Sequence, residues 1–206
     1  MPRRALVLVD LQYDFCPGGA LAVARGDETV PVANKLLPAF EVVVATQDWH
    51  PADHKSFAAS HKNKKPYDVI KLDGLEQVLW PPHCVQGTRG AELHDALDRS
   101  KIDCVFPKGT DPMIDSYSGF WDNGHKKSTG LADWLRAQEV GELTVLGLAT
   151  DYCVKFTVLD GLREGFAVTL VEDGCRAVEL SPGDGARAIA AMRDAGATIA
   201  TSASLA

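Results

Sequence analysis

Residues able to do chemistry recur at the ends of apolar runs in this chain: Asp10, the pair Asp48 and His50, Lys108, and Cys153. Cys153 stands in Gly147-Leu-Ala-Thr-Asp-Tyr-Cys-Val-Lys-Phe, where an apolar run passes through a short turn into an amphipathic stretch. The first N–H groups of a helix lack internal partners and carry the positive end of its dipole. A thiol there is expected to be drawn toward thiolate, the form that attacks carbonyl carbon, with the same N–H groups able to hold the resulting oxyanion. A free cysteine is more commonly a small buried hydrophobe, so its partners decide. Asp10 could take the thiol proton and return it to a leaving group, and Lys108 could hold Asp10 charged. Taken singly, Asp10 reads as a turn cap and Lys108 as a solvated lysine. No Gly-x-Ser-x-Gly elbow offers a serine alternative.

A second group lies in Gln47-Asp-Trp-His-Pro-Ala-Asp-His-Lys-Ser-Phe57. Residues two apart at a strand end point the same way, so Asp48 and His50 can converge on one divalent cation. Carboxylate with imidazole suits zinc first, and also iron or manganese. The third ligand is either His83, in Trp80-Pro-Pro-His-Cys84, or His54. Pro51 stands where a His-Glu-x-x-His motif needs glutamate, which removes the zincin reading of His50 and His54. His61, His94 and His125 are expected to be exposed.

The elements that must hold these groups follow from periodicity. Residues 5–9, 42–46, 102–106, 143–148, 168–171 and 198–201 read as strands buried on both faces. Helical patterns lie between them, at 28–40, 91–99, 130–138, 152–164 and 182–195. Alternation of this kind predicts an α/β chain, a three-layer α/β/α sandwich (Rossmann-like) around a six-stranded, mostly parallel sheet. Ligands bind such sheets beyond the carboxyl ends of the strands, which is where Asp10, Asp48, Lys108 and Cys153 fall. Residues 53–88 and 111–129 read as long irregular loops serving a site. Gly183-Asp-Gly185-Ala-Arg-Ala188 resembles a dinucleotide fingerprint, but it lacks the preceding strand and reads as a helix start. Lys62-Asn-Lys-Lys65 reads as a solvated basic run.

With 206 residues and 46% hydrophobic content, residues 1–206 are expected to form one domain. A formal charge of -7 excludes a nucleic-acid footprint. No apolar run reaches membrane-spanning length, and the short N-terminal one lacks a cleavage site. Five widely spaced cysteines without C-x-x-C suit a reducing, cytoplasmic setting. Homo-oligomerisation is left open by the sequence.

Together the motifs resemble the isochorismatase-like cysteine hydrolases and, within them, the nicotinamidase (pyrazinamidase) branch. The likeness covers nearly the whole chain. It rests on Val9-Asp-Leu-Gln-Tyr-Asp-Phe-Cys-Pro-Gly-Gly, Asp48-Trp-His-Pro, His54-Lys-Ser-Phe, Trp80-Pro-Pro-His-Cys-Val-Gln-Gly-Thr, Lys108-Gly-Thr, Tyr117-Ser-Gly-Phe and Gly147-Leu-Ala-Thr-Asp-Tyr-Cys-Val. The resemblance implies hydrolysis of nicotinamide to nicotinate and ammonia in NAD salvage, and of pyrazinamide. It implies Cys153 as nucleophile, Asp10 as proton carrier, Lys108 as supporting cation, and Asp48, His50 and His83 as metal ligands, with Ser56 an outer contact. It further implies substrate contacts from Phe15, Trp80, Tyr117, Ala149 and Cys153, and a cis peptide between Leu148 and Ala149 that aims the N–H groups of Ala149 and Cys153 at the carbonyl oxygen. The position before the nucleophile varies in the family, and Tyr152 is expected to reshape the pocket rim. Two rivals remain at this stage: another amidohydrolase of the superfamily acting on carbamoyl compounds, and a non-catalytic small-molecule binding module.

Overall fold

The structure is a computed structural model that describes residues 2–205. Its centre is a six-stranded sheet in the order β5-β2-β1-β6-β7-β8. These strands are β1 (Arg3–Val9), β2 (Val42–Asp48), β5 (Cys104–Lys108), β6 (Val140–Leu148), β7 (Ala167–Arg176) and β8 (Thr198–Ala200), and every pairing is parallel. Between β2 and β5 lies a separate antiparallel hairpin, β3 (Val69–Leu72) with β4 (Leu75–Val78). Ala5 to Val9 are wholly buried, as expected of a central strand covered on both faces. The covering helices are α1 (Thr29–Leu36), α2 (Leu131–Ala137), α3 (Lys155–Arg163) and α4 (Asp184–Asp194). α1 packs on β6 and β7, α2 on β6, and α3 on β7 and α4.

The chain starts in the middle of the sheet, builds outward through β2 and β5, then returns to β6 on the other side of β1. Neighbouring strands β1 and β6 therefore leave the sheet in opposite directions, opening a crevice beyond their carboxyl ends. Asp10 follows β1 there and Cys153 follows β6. Gly147 lets the two strands meet: its φ is +135°, and a Cβ would lie 2.1 Å from the Val9 carbonyl oxygen.

Two expectations are corrected. Residues 91–99 form no α-helix, although Leu93 and Leu97 are both buried at helical spacing. The backbone is drawn to the segment after β1 instead: Tyr13 N–H donates to the Glu92 carbonyl, His94 N–H donates to that of Leu11, and Leu93 bridges Gln12. Residues 53–88 are not irregular throughout, since they contain the β3–β4 hairpin. Its turn, Asp73-Gly74, has both φ angles positive, the conformation that Asp-Gly favours between apolar runs.

Candidate active site

Asp48 and Lys108 close adjacent strands and are direct register partners. From there the Lys108 side chain reaches across the ends of β2 and β1 to the turn after β6. Its ammonium donates to Asp48 Oδ1 at 2.5 Å, to the Ser116 carbonyl at 3.0 Å and to Cys153 Sγ at 3.3 Å. Those three bonds use all three of its hydrogens. Asp10 Oδ2 lies 2.9 Å from the same nitrogen, a buried ion pair whose geometry leaves this oxygen without an aligned donor. The other oxygen, Oδ1, accepts from the Thr46 hydroxyl at 2.6 Å. Asp10 is thus charge-balanced by a neighbouring ammonium while one lone-pair face stays open beside the thiol.

Two carboxylates share one lysine, and their environments separate them. Burial raises the Asp10 carboxyl above its usual range, more strongly than Lys108 lowers it, and the Asp48 charge adds to the rise. Burial also acts against the Asp48 charge, but Lys108 and His50 outweigh it and hold that carboxyl well below the usual range. Asp10 is the proton acceptor of the pair.

Cys153 corrects the expectation of a resting thiolate. Burial pushes its pKa well above the ordinary thiol value, Lys108 pulls down, and Asp10 and Asp48 push up again. The thiol sits in a wide π-type turn, Thr150–Val154, just before α3. Burial and two nearby carboxylates outweigh the helix terminus, so Cys153 rests protonated with its acceptor beside it. The Leu148–Ala149 peptide that leads into this turn is cis.

The metal-type residues form a different arrangement. His50 Nδ1–H donates to the Gly109 carbonyl at 2.9 Å, and His83 Nδ1–H to the Pro81 carbonyl at 2.8 Å. A carbonyl can only accept, so in each neutral ring Nε2 carries the lone pair. These two atoms lie 3.3 and 3.5 Å from Asp48 Oδ2. With both rings neutral, as metal ligation requires, three acceptors converge, the donor set and outer bonding that a divalent cation needs. His54 presents the opposite face. Its Nδ1 accepts from the Ser56 N–H at 3.1 Å and lies 2.7 Å from Ser56 Oγ, which leaves the hydrogen on Nε2, buried without a partner. Between the two candidates for third ligand, ring orientation favours His83; Ser56 is engaged with His54.

Neighbouring residues brace these ligands. The Gln12 amide accepts from the Asp48 N–H and donates to the Asp48 carbonyl, both at 2.8 Å. Gly109, at φ +63°, lies against the His50 ring, where a Cβ would come within 2.3 Å of Cε1. Asp14 accepts from the Cys84 N–H at 2.7 Å, tying the Trp80–Cys84 loop to the turn that carries Phe15.

Between the two clusters lies a narrow chamber of about 20 Å³. Phe15, Trp80, Tyr117, Ala149 and Cys153, expected to contact substrate, all line it, as do Asp48 and His83. Leu21, Asp115, Tyr152 and Val178 line it as well. Of these four the sequence reading anticipated only Tyr152. Asp115 stands two residues before Tyr117, and a period-2 reading of Asp115-Ser-Tyr117 could have found it. Val178 comes from beyond β7, and no local motif marks it. Away from the chamber, His61 and His94 are half-buried, not exposed, and His125 is exposed. α4 starts at Asp184, directly after Gly183 in the left-handed conformation, so the Gly183–Ala188 segment is a helix start.

Comparison with known proteins gives the following. The isochorismatase domain family matches residues 4–204. The chain is 56% identical over 205 residues to the nicotinamidase of Escherichia coli (strain K12), covering 98% of this chain and 96% of the relative. A solved nicotinamidase/pyrazinamidase of Acinetobacter baumanii superposes with a TM-score of 0.97 at 43% identity, covering 100% of this chain and 99% of the other. A pyrazinamidase of Pyrococcus horikoshii, solved in complex with zinc, superposes at 0.79 with 36% identity, covering 97% and 99%.

Proposed function

The chain belongs to the isochorismatase family, and on that premise we propose that it is a nicotinamidase, hydrolysing the carboxamide of nicotinamide to nicotinate and ammonia, and that of pyrazinamide likewise. The observation that carries this reading is the open Asp10 oxygen beside the Cys153 thiol, facing the Asp48–His50–His83 acceptors across an aromatic chamber.

The chain's own residues account for the steps. Phe15, Trp80 and Tyr117 receive a flat heteroaromatic ring and exclude water from it. Asp48, His50 and His83 would hold a divalent cation, which would supply a Lewis-acidic anchor for a neutral ring nitrogen. The zinc complex of the Pyrococcus relative supports zinc as that cation, with iron and manganese compatible with the same donors. Anchoring at one end sets the carboxamide over Cys153 at the other, an orientation effect that can reach several kcal/mol. The Cys153 proton passes to Asp10 Oδ2 as sulfur bonds to the carbonyl carbon. Backbone N–H groups of Ala149 and Cys153 take the oxyanion. Asp10 gives its proton to the leaving nitrogen, ammonia departs, and a thioester remains on Cys153. Asp10 then takes a proton from water as its oxygen attacks the thioester, and returns it to the departing Cys153 sulfur; the thiol and ionised Asp10 are restored, and nicotinic acid leaves and loses its proton to solvent as nicotinate. Lys108 stays charged throughout and keeps Asp10 ionised between proton transfers.

The test is ammonia release from nicotinamide with and without a chelator. Loss of turnover on chelation, restored by a divalent metal, is expected. Full turnover after metal removal contradicts the anchoring role. Absence of ammonia release under any condition returns the chain to the binding-module reading. A carbamoyl amidohydrolase is disfavoured by the three-acceptor cluster, which gives a carbamoyl substrate lacking a ring nitrogen no use for a cation.

A further inference from the structure

Resting on the nicotinamidase reading, we propose that Tyr152 is the partition that limits substrates to a single ring, and that its removal opens the chamber to fused bicyclic aromatic amides. The chamber is closed by two tyrosines that each have a second side. Tyr117 and Tyr152 also line an outer groove of about 480 Å³, formed with Val78, Lys155 and Phe156. Phe15 and Trp80, by contrast, are buried, with protein behind them. Among the described residues, the neighbouring cavities that share a wall with the chamber lie behind these two tyrosines.

The tyrosines are held differently. Tyr117 is a fixed post: its hydroxyl accepts from Trp80 Nε1 at 3.2 Å and Gln77 Nε2 at 3.0 Å, and its ring stacks on Phe156. Removing it unpairs the Trp80 Nε1–H and loosens that ring, whereas Gln77 keeps the Val78 carbonyl and Asp115 as acceptors. Tyr152 meets Trp80 edge-on, with ring centroids 4.8 Å apart, and meets Tyr117 at 5.4 Å. Its hydroxyl forms no hydrogen bond with the described residues. Tyr152 is therefore the wall that can be deleted without orphaning a polar partner, and deletion merges chamber and groove. It adjoins the nucleophile, so the space gained opens beside the reacting carboxamide.

The test compares Tyr152→Ala and Tyr152→Phe with the parent on nicotinamide, quinoline-3-carboxamide and isoquinoline-4-carboxamide. The two bicyclic amides project their second ring from different edges of the pyridine. The expected result is a rise on the order of 100-fold in the ratio of kcat/KM for at least one bicyclic amide over nicotinamide in Tyr152→Ala. Tyr152→Phe, which keeps the partition, should leave that ratio unchanged. An unchanged ratio in Tyr152→Ala overturns the proposal. Should that variant turn over nothing, calorimetric binding of quinoline-3-carboxylate and isoquinoline-4-carboxylate against nicotinate decides instead. A gain for either bicyclic acid supports the partition, and no gain rejects it. A parent enzyme that releases no ammonia from nicotinamide rejects the underlying activity, a result distinct from either.

Discussion

At the Cys153 end of the chamber two carboxylates share one ammonium within the chain, whereas at the His83 end three acceptor atoms face one another when the rings are neutral. Lys108 sits between Asp10 and Asp48 and also touches the thiol, so the reacting end is complete as folded. The other end reuses Asp48, but its second oxygen looks toward two imidazole lone pairs and needs a cation from outside. The difference separates two kinds of failure. Damage at the first end should stop chemistry, or destabilise the fold when a buried charge is stranded. Damage at the second should lower metal affinity and loosen substrate placement while the fold persists.

The largest effect is expected from Cys153→Ala. Ammonia release should fall by at least about 10⁴-fold, as when a covalent nucleophile is lost elsewhere, with metal content and circular dichroism retained. Retained turnover would break the division between the ends. Next is Lys108→Met, which strands two carboxylates at a site where the lysine is only 2% exposed. Loss of one partner of a buried ion pair costs about 3–5 kcal/mol, so denaturant midpoints should drop accordingly. Adding Asp10→Asn to Lys108→Met should restore part of that stability and none of the activity. At the other end, Gly109→Ala drives a methyl into the His50 ring. Chelator competition should show metal affinity weakened about 10- to 100-fold, with a smaller change in unfolding free energy.

A subtler expectation concerns pH. The raised carboxyl of Asp10 must be ionised to accept the thiol proton, so kcat is full above its folded pKa and falls as pH drops through it. The acidic limb should thus lie above the ordinary aspartate value of about 3.9. Stability at that group has the opposite sign. A folded pKa above the unfolded one favours the protonated fold, so this contribution is present at low pH and lost as pH rises through the folded pKa. Asp48, with its carboxyl held low, behaves as a usual ion-paired aspartate. Its contribution is present above the unfolded pKa and lost only as pH falls through the folded one. Acid titration of kcat alongside unfolding free energy should show turnover failing before the fold does.

Much of this was legible in the sequence because strand ends are local features. Asp10, Asp48 and Lys108 each stand at the close of an apolar run, and a parallel sheet brings such positions to one edge whatever the loops do. The order of strands, and with it the crevice between β1 and β6, is a nonlocal outcome that the alternation of elements narrows without determining. Residues 91–99 misled because buried leucines at helical spacing serve equally well in a segment hydrogen-bonded to Leu11 and Tyr13. The protonation state of Cys153 was misjudged because helix position is visible in a sequence, while burial beside two carboxylates is not. The tautomers that separate His83 from His54 depend on which backbone groups each ring meets, and only the folded chain supplies them.

The most direct test is mass analysis of the enzyme acid-quenched during turnover of nicotinamide, followed by digestion. The account predicts a mass increase of one nicotinoyl group on the peptide that carries Cys153, absent from Cys153→Ala and accumulating in Asp10→Asn only if thiol attack survives without its acceptor. Sustained ammonia release with no acyl group on that peptide at any quench time, under conditions where a thioester survives the work-up, would contradict it.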